Sequence, residues 1–192
     1  MESAAEALAR LKEGNLRFVE EGRLGAAHIG ESRRAALARG QEPFAIVLGC
    51  ADSRVPPELV FDQGLGDLFV VRVAGNVVTP TVVGSIEYAA GVVGTRLVVV
   101  LGHSSCGAVK STIEHMRSPT DLTGGLDSIV GRIRPSVSSV RASHVQDDDA
   151  EILRESVREN VRQSVRSLSA ESSLLQGLIL EDGLQVVGAE YS

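Results

Sequence analysis

Residues 97–107 read Leu-Val-Val-Val-Leu-Gly-His-Ser-Ser-Cys-Gly, and residues 44–54 read Phe-Ala-Ile-Val-Leu-Gly-Cys-Ala-Asp-Ser-Arg. Each is an unbroken apolar run that ends at a glycine and gives way to polar, reactive side chains. A run with no polar alternate has no solvent-facing side, so it predicts a strand buried on both faces, the habit of parallel sheets. Leu68-Phe-Val-Val-Arg-Val73 is a third such run, and Leu184-Gln-Val-Val-Gly188 a shorter fourth. The stretches Thr81 to Ala90, behind Pro80, and Gly107 to Met116 have the length and composition of crossover helices. Strands that alternate with helices predict an α/β fold: a central, mainly parallel sheet of four to five strands flanked by helices.

Outward from those runs, Ser3 and Glu6 have the spacing of a capping box. Ala4, Leu8 and Leu11 then share one helical face until Gly14 interrupts, which gives an N-terminal amphipathic arm with no obvious local partner. Residues 21–40 read as a connection with a short helix around Ser32 to Arg39. Residues 118–150 read as an irregular excursion, helical around Leu126 to Ile133. From Asp149, Leu153, Val157, Val161, Val165 and Leu168 form one apolar stripe of a long helix. The expected organisation is a single domain over 1–192, with a helical arm at 1–40, the chemical core at 41–117, and helices plus the last core strand at 118–192.

The chain has 192 residues, is 43% hydrophobic and 23% charged, and carries a formal net charge of -6, enough apolar matter for a core and the wrong sign for a nucleic-acid or anionic-membrane binder. No run approaches the roughly 18–20 apolar residues that cross a bilayer. Aromatics make up 3% with no Trp, so base-stacking platforms are not expected. Two cysteines are too few for a disulfide scaffold, and the N-terminus lacks the pattern of an export signal, so the expected setting is the cytoplasm.

Functional groups of open parallel sheets collect beyond the carboxyl ends of the strands. Two of the runs end in Cys50-Ala-Asp52-Ser-Arg54 and His103-Ser-Ser-Cys106-Gly107, which brings both cysteines, an imidazole and a carboxylate to one sheet edge. Singly, each has a bland reading: a small core thiol, a structural His, a surface Asp–Arg pair. Together they are a donor set for zinc, with two thiolates and an imidazole as three ligands and a fourth place left over. Two thiolates cancel the charge of Zn²⁺, so a helper group is useful. Asp52 is placed to accept a proton or hydrogen bond from a bound water, or to displace it as a fourth ligand in a closed state. A bidentate bond from Arg54 keeps it off the metal. His28, His115 and His144 lie away from the strand ends and are read as solvated.

The paired motif resembles that of the β-class carbonic anhydrases. The likeness extends through Gly40-Gln-Glu-Pro43, Gly66-Asp-Leu-Phe-Val-Val-Arg72, Ala74-Gly-Asn76, Gly84-Ser-Ile-Glu-Tyr88 and Glu159-Asn-Val-Arg162, over nearly the whole chain. The resemblance implies one Zn²⁺ per chain on Cys50, His103 and Cys106, with Asp52 and Arg54 as the catalytic dyad that orients a zinc-bound hydroxide. It implies substrate contacts from Gln41, Phe69, Tyr88 and the backbone of Gly107. The implied reaction is reversible hydration of carbon dioxide to bicarbonate and a proton, by a cytoplasmic lyase that forms homodimers and possibly tetramers through its N-terminal helices, without nucleic-acid or membrane partners. Phe69, Val71 and Leu65 are available to line an apolar slot. Arg72 and Tyr191 stand where two members of a bicarbonate inhibitory site stand in one subgroup. The third member, a Trp, is Val47 here, so that regulation is not expected. Two alternatives stay open: a related zinc hydrolase of carbon disulfide or carbonyl sulfide, and a non-catalytic protein in which Asp52 closes the zinc site.

Overall fold

Among the described residues four strands, β1 (Ala45–Gly49), β2 (Leu68–Arg72), β3 (Leu97–His103) and β4 (Gln185–Tyr191), lie in the order β2-β1-β3-β4, and each neighbouring pair is parallel. The computed structural model describes residues 2–20, 30–119, 121, 124–143 and 148–192. His28 and His144 lie outside the described residues. The inner strands β1 and β3 are buried at every position, as their unbroken apolar runs require. Their alternate residues feed two cores. Ile46, Leu48, Val98 and Val100 point to one face; Ala45, Val47, Leu97, Val99 and Leu101 point to the other. β2 differs from expectation. Only Leu68 is buried, because β2 is an edge strand with one neighbour.

The first face is covered by α4 (Pro80–Glu87), a π-helical stretch (Tyr88–Val93), α7 (Asp149–Glu171) and α8 (Ser173–Glu181). The second is covered by α1 (Ala4–Val19), whose capping box forms as expected. α1 corrects two expectations. It is not an unpartnered arm, since Ala4, Ala7 and Leu11 pack against β1 and β3 of the same chain, and Asn15 Nδ2 donates to Val60 O at 2.9 Å. Nor does Gly14 end it: a Cβ there would stand 1.8 Å from Phe61 O, so glycine is what lets the helix approach.

Two short helices, α2 (Glu31–Leu37) and α3 (Pro57–Val60), lie in the connections to either side of β1. At the carboxyl edge, α5 (Gly107–Arg117) leaves β3, and α6 (Gly125–Ser143) contains the helix expected around Leu126 to Ile133 but runs well beyond it. Pro135 lies inside α6 and hides its helical pattern in the sequence. The stripe on α7 is also shifted: Ile152, not Leu153, is buried, and the polar Ser156, Asn160 and Ser164 are buried between the apolar residues. α7 lies close to the sheet because two strand residues lack side chains. A Cβ on Gly102 would come within 2.5 Å of Val161 Cγ2, and one on Gly188 within 2.7 Å of Val161 Cγ1. α8 was not expected at all. No helix among the described residues is long and apolar enough to cross a membrane.

Candidate metal centre

Cys50 follows the last residue of β1, His103 ends β3, and Cys106 caps the N-terminus of α5. Because β1 and β3 are hydrogen-bonded neighbours, with Gly49 opposite Leu101, the two loops emerge side by side. One ligand atom from each of Cys50, His103 and Cys106 lies within 4.8 Å of the others, and all three residues are buried. The donor set passes a test of fit for a metal ion. His103 Nδ1 lies 3.0 Å from Ser104 O, while its Nε2 is buried with no hydrogen-bond partner, a costly state unless an ion accepts that lone pair. Both cysteines are free thiols, as a metal site needs and a disulfide would not leave them.

The two thiols push each other in opposite directions. The hydrogen bond from Cys106 draws Cys50 down to about 4, helped by the backbone N–H of Gly75 against the opposing effect of burial. The same bond, with burial, pushes Cys106 up. A cation that takes both sulfurs displaces the thiol protons that remain.

Beside the donors, Asp52 accepts three hydrogen bonds from one residue: Arg54 N to Oδ1 at 3.0 Å, Nε to Oδ1 at 2.9 Å and Nη2 to Oδ2 at 2.7 Å. The Arg54 side chain bonded to its carboxylate holds Asp52 well below the usual carboxylate range. Asp52 Oδ2 stands 3.9 Å from His103 Nε2, so the ionised carboxylate faces the donor cluster while Arg54 restrains it. Arg54 Nη2 also reaches Ser105 O at 3.2 Å, which ties the two loops together.

The other expected site residues divide between the donor edge and more distant places. Gly107 opens α5 next to Cys106, and nothing lies within 4 Å of where its side chain would be. Gln41 precedes β1 at the opposite, amino-terminal edge, in a cleft with Arg10, Arg33, Glu42 and Asp67. The length of β1, about 17 Å, separates it from Cys50. Phe69 is the second residue of β2, level with Ile46, and its ring meets that of Tyr88 at 6.2 Å on the α4 side. Tyr88 is 50% exposed. Leu65 precedes β2, and Val71 packs into the α4-side core. Within one chain, then, Gln41, Phe69, Tyr88, Leu65 and Val71 do not converge on the cysteines. The apolar residues clustered with Cys50 and Cys106 include Val55, Val77, Val73 and Ala108.

Three residues not read from the sequence as supports do that work. Arg72 Nε donates to Cys50 O at 2.9 Å and Nη2 to Asp52 O at 2.5 Å, so it braces the first loop from the edge strand. Gly75 N donates to Cys50 Sγ at 3.3 Å from a single 3-10 turn, Ala74–Asn76, in which Gly75 has φ 72° and Asn76 φ 43°. A left-handed non-glycine residue costs about 1–3 kcal/mol and persists only where its surroundings hold it. Asn160 is the third: its Nδ2 donates to Gly75 O at 2.8 Å. The quoted Gly66–Arg72, Ala74–Asn76 and Glu159–Arg162 segments contained all three, but their sequence gives no sign of what they touch.

A family model described as carbonic anhydrase matches residues 45–192. The chain belongs to the β-carbonic anhydrase family. It is 44% identical over 184 residues to carbonic anhydrase 2 of Mycobacterium tuberculosis, across 94% of this chain and 84% of that one. It is 47% identical over 150 residues to a carbonic anhydrase of Mycolicibacterium smegmatis, across 77% and 72%. In structure it is similar to a tetrameric β-carbonic anhydrase of Sordaria macrospora, with TM-score 0.69 and 28% identity over 82% of this chain and 79% of the other.

Proposed function

We propose that this β-carbonic anhydrase is a lyase that reversibly hydrates carbon dioxide to bicarbonate and a proton, with one zinc ion per chain held by Cys50, His103 and Cys106. The convergence of three buried donors within 4.8 Å beside a restrained carboxylate carries the reading. Zinc in such a site supplies Lewis acidity that brings the pKa of a water molecule toward neutrality. Asp52 offers Oδ2 as a fixed acceptor for an O–H of the attacking water, and it stays ionised because Arg54 holds it. Arg54 also keeps the carboxylate off the donor cluster, which favours an accessible site over one closed by Asp52. Val55 and Val77, buried in one apolar cluster with Cys50 and Cys106, give the centre apolar surroundings that suit a non-polar linear molecule.

The chain is proposed to act as a homodimer or tetramer in the cytoplasm. Three features support self-association: the similarity to a tetrameric relative, the half-exposed edge strand β2, and an apolar groove between α1 and β4 lined by Leu8, Leu16, Val19, Val187 and Ala189. Gln41, Phe69 and Tyr88 serve a substrate pocket only from a second copy, since they do not reach the cysteines of their own. Metal analysis paired with a carbon dioxide hydration assay tests the function. One zinc per chain and hydration that collapses in Cys106→Ser is the expected result; full activity in metal-free protein overturns it. Turnover of carbonyl sulfide in preference to carbon dioxide assigns the hydrolase alternative instead.

A further inference from the structure

Asn160 sits in the middle of α7, far in sequence from either donor loop, and is 2% exposed. We propose that Asn160, assisted by Ser164, is a positioning residue of the metal centre: it pins the Ala74–Asn76 turn so that the Gly75 N–H stays aimed at the Cys50 sulfur. The inference rests on the reading of Cys50, His103 and Cys106 as metal ligands.

The contacts form a short relay. Asn160 Nδ2 donates to Gly75 O at 2.8 Å, Ser164 Oγ donates to Asn76 O at 3.1 Å, and Gly75 N donates to Cys50 Sγ at 3.3 Å. The carbonyl and the N–H of Gly75 flank one Cα, so fixing the carbonyl restricts rotation of the amide. The turn needs outside restraint. Gly75 and Asn76 are both left-handed, and the Nδ2 of Asn76 is buried with no partner, so its side-chain amide gives the turn no hydrogen bond from that atom. A side chain at Gly75 would meet Ile133 Cδ1 at 2.7 Å and Ala108 Cβ at 3.1 Å, which confines the turn from the α6 and α5 sides. α7 supplies the polar hold from the remaining side. An N–H donated to a thiolate stabilises its negative charge and holds the sulfur in one orientation, so a bound cation meets a preorganised donor. That matters most in a site with two thiolates, whose mutual repulsion the N–H offsets. Partners one step removed from a ligand typically alter metal affinity or activity by about 10–100-fold.

The test uses cobalt(II) in place of zinc and reads the thiolate-to-cobalt charge-transfer band together with the rate of metal loss to a chelator. Asn160→Ala and Asn160→Asp, which remove the donor, are expected to shift the band and speed metal loss roughly tenfold. Asn160→Gln, which keeps an amide donor, is expected to restore most of both. Ser164→Ala should shift them the same way by less. Ser169→Ala, whose hydroxyl bonds Val165 O within α7, should match wild type. Folded Asn160→Asp with an unchanged band and chelation rate overturns the inference. Where the Asn160 variants do not fold, an unchanged Ser164→Ala does the same. Absence of any thiolate–cobalt band in the wild-type protein defeats the metal reading itself, a separate outcome.

Discussion

The carboxyl edge of the sheet and the flank of its edge strand β2 are built on opposite plans. At the carboxyl edge, Cys50, His103 and Cys106 are buried, and the loops that bear Cys50 and Asp52 are braced by Arg72, Gly75 and Arg54, all of one chain. Along β2, Phe69 is half-buried, Tyr88 half-exposed, and Gln41 lies beyond the start of β1 among charged side chains. The donors are fixed by folding. Of the residues that the family resemblance assigns to substrate, Gly107 adjoins the donors, whereas Gln41, Phe69 and Tyr88 lie away from them. Damage to the first region should therefore act on a single chain at any concentration, whereas damage to the second should depend on association.

The largest expected effect is at the donors. Cys106→Ser should reduce bound metal to near zero and hydration by roughly a hundredfold or more, with little change in sedimentation. Retained metal at one per chain would show that the cluster is not the ligand set. Arg54→Ala comes next. It releases Asp52 to swing toward His103, and hydration should drop on the order of tenfold while metal content stays at one per chain; equal activity would remove the restraining role of Arg54.

Against these, Tyr88→Ala should barely change metal content or melting temperature, because the side chain is half-exposed. Its activity should fall severalfold. Mixing it with the inactive Cys106→Ser should recover part of the loss if a pocket draws on two copies; an additive result with no recovery breaks the comparison. Gly14→Ala tests the α1 side. Its Cβ would meet Phe61 O, and unfolding should be easier by about 3 kcal/mol, at the top of the overpacking range, as read by denaturant titration.

The smallest effect is on acid stability. The Asp52 pKa is depressed in the folded chain, so its contribution is present above the ordinary carboxylate value and is lost as pH falls through the lower folded value. Both side chains are partly exposed, Arg54 at 58%, which limits the contribution to about 1 kcal/mol or less. Arg54→Ala should remove that part of the acid-dependent stability loss, measured by unfolding between about pH 5 and pH 2.

Much of this was legible beforehand, for physical reasons particular to the segments. β1 and β3 announce themselves because a strand buried on both faces admits only apolar residues, and their abrupt ends mark the reactive edge. The spacing of His103 and Cys106 is local, so one turn of chain fixes their relation. What stayed hidden depends on distant contacts. Gly14 reads as a breaker until Phe61 is seen against it. Pro135 disguises α6. Asn160 and Ser164 read as polar interruptions of an apolar stripe, although they are buried against the Ala74–Asn76 turn. Arg72 was expected only as part of an anion site that the missing Trp leaves incomplete, yet it holds two carbonyls of the donor loop. Where Gln41, Phe69 and Tyr88 lie relative to the cysteines was also hidden, because their positions follow from strand pairing and packing between distant segments.

The bare strand positions Gly102 and Gly188, with Val161 lodged over both, act as a mechanical detent. For α7 to creep by even one residue, a step of about 1.5 Å along its axis, Val161 must climb out of its seat over both glycines. The helix is thus indexed like a key in a lock, one residue away from the amide that touches the turn behind the sulfur. Heating or crowding that loosens the outer helices leaves this alignment until the notch itself gives way, so loss of alignment and loss of the sheet should arrive together.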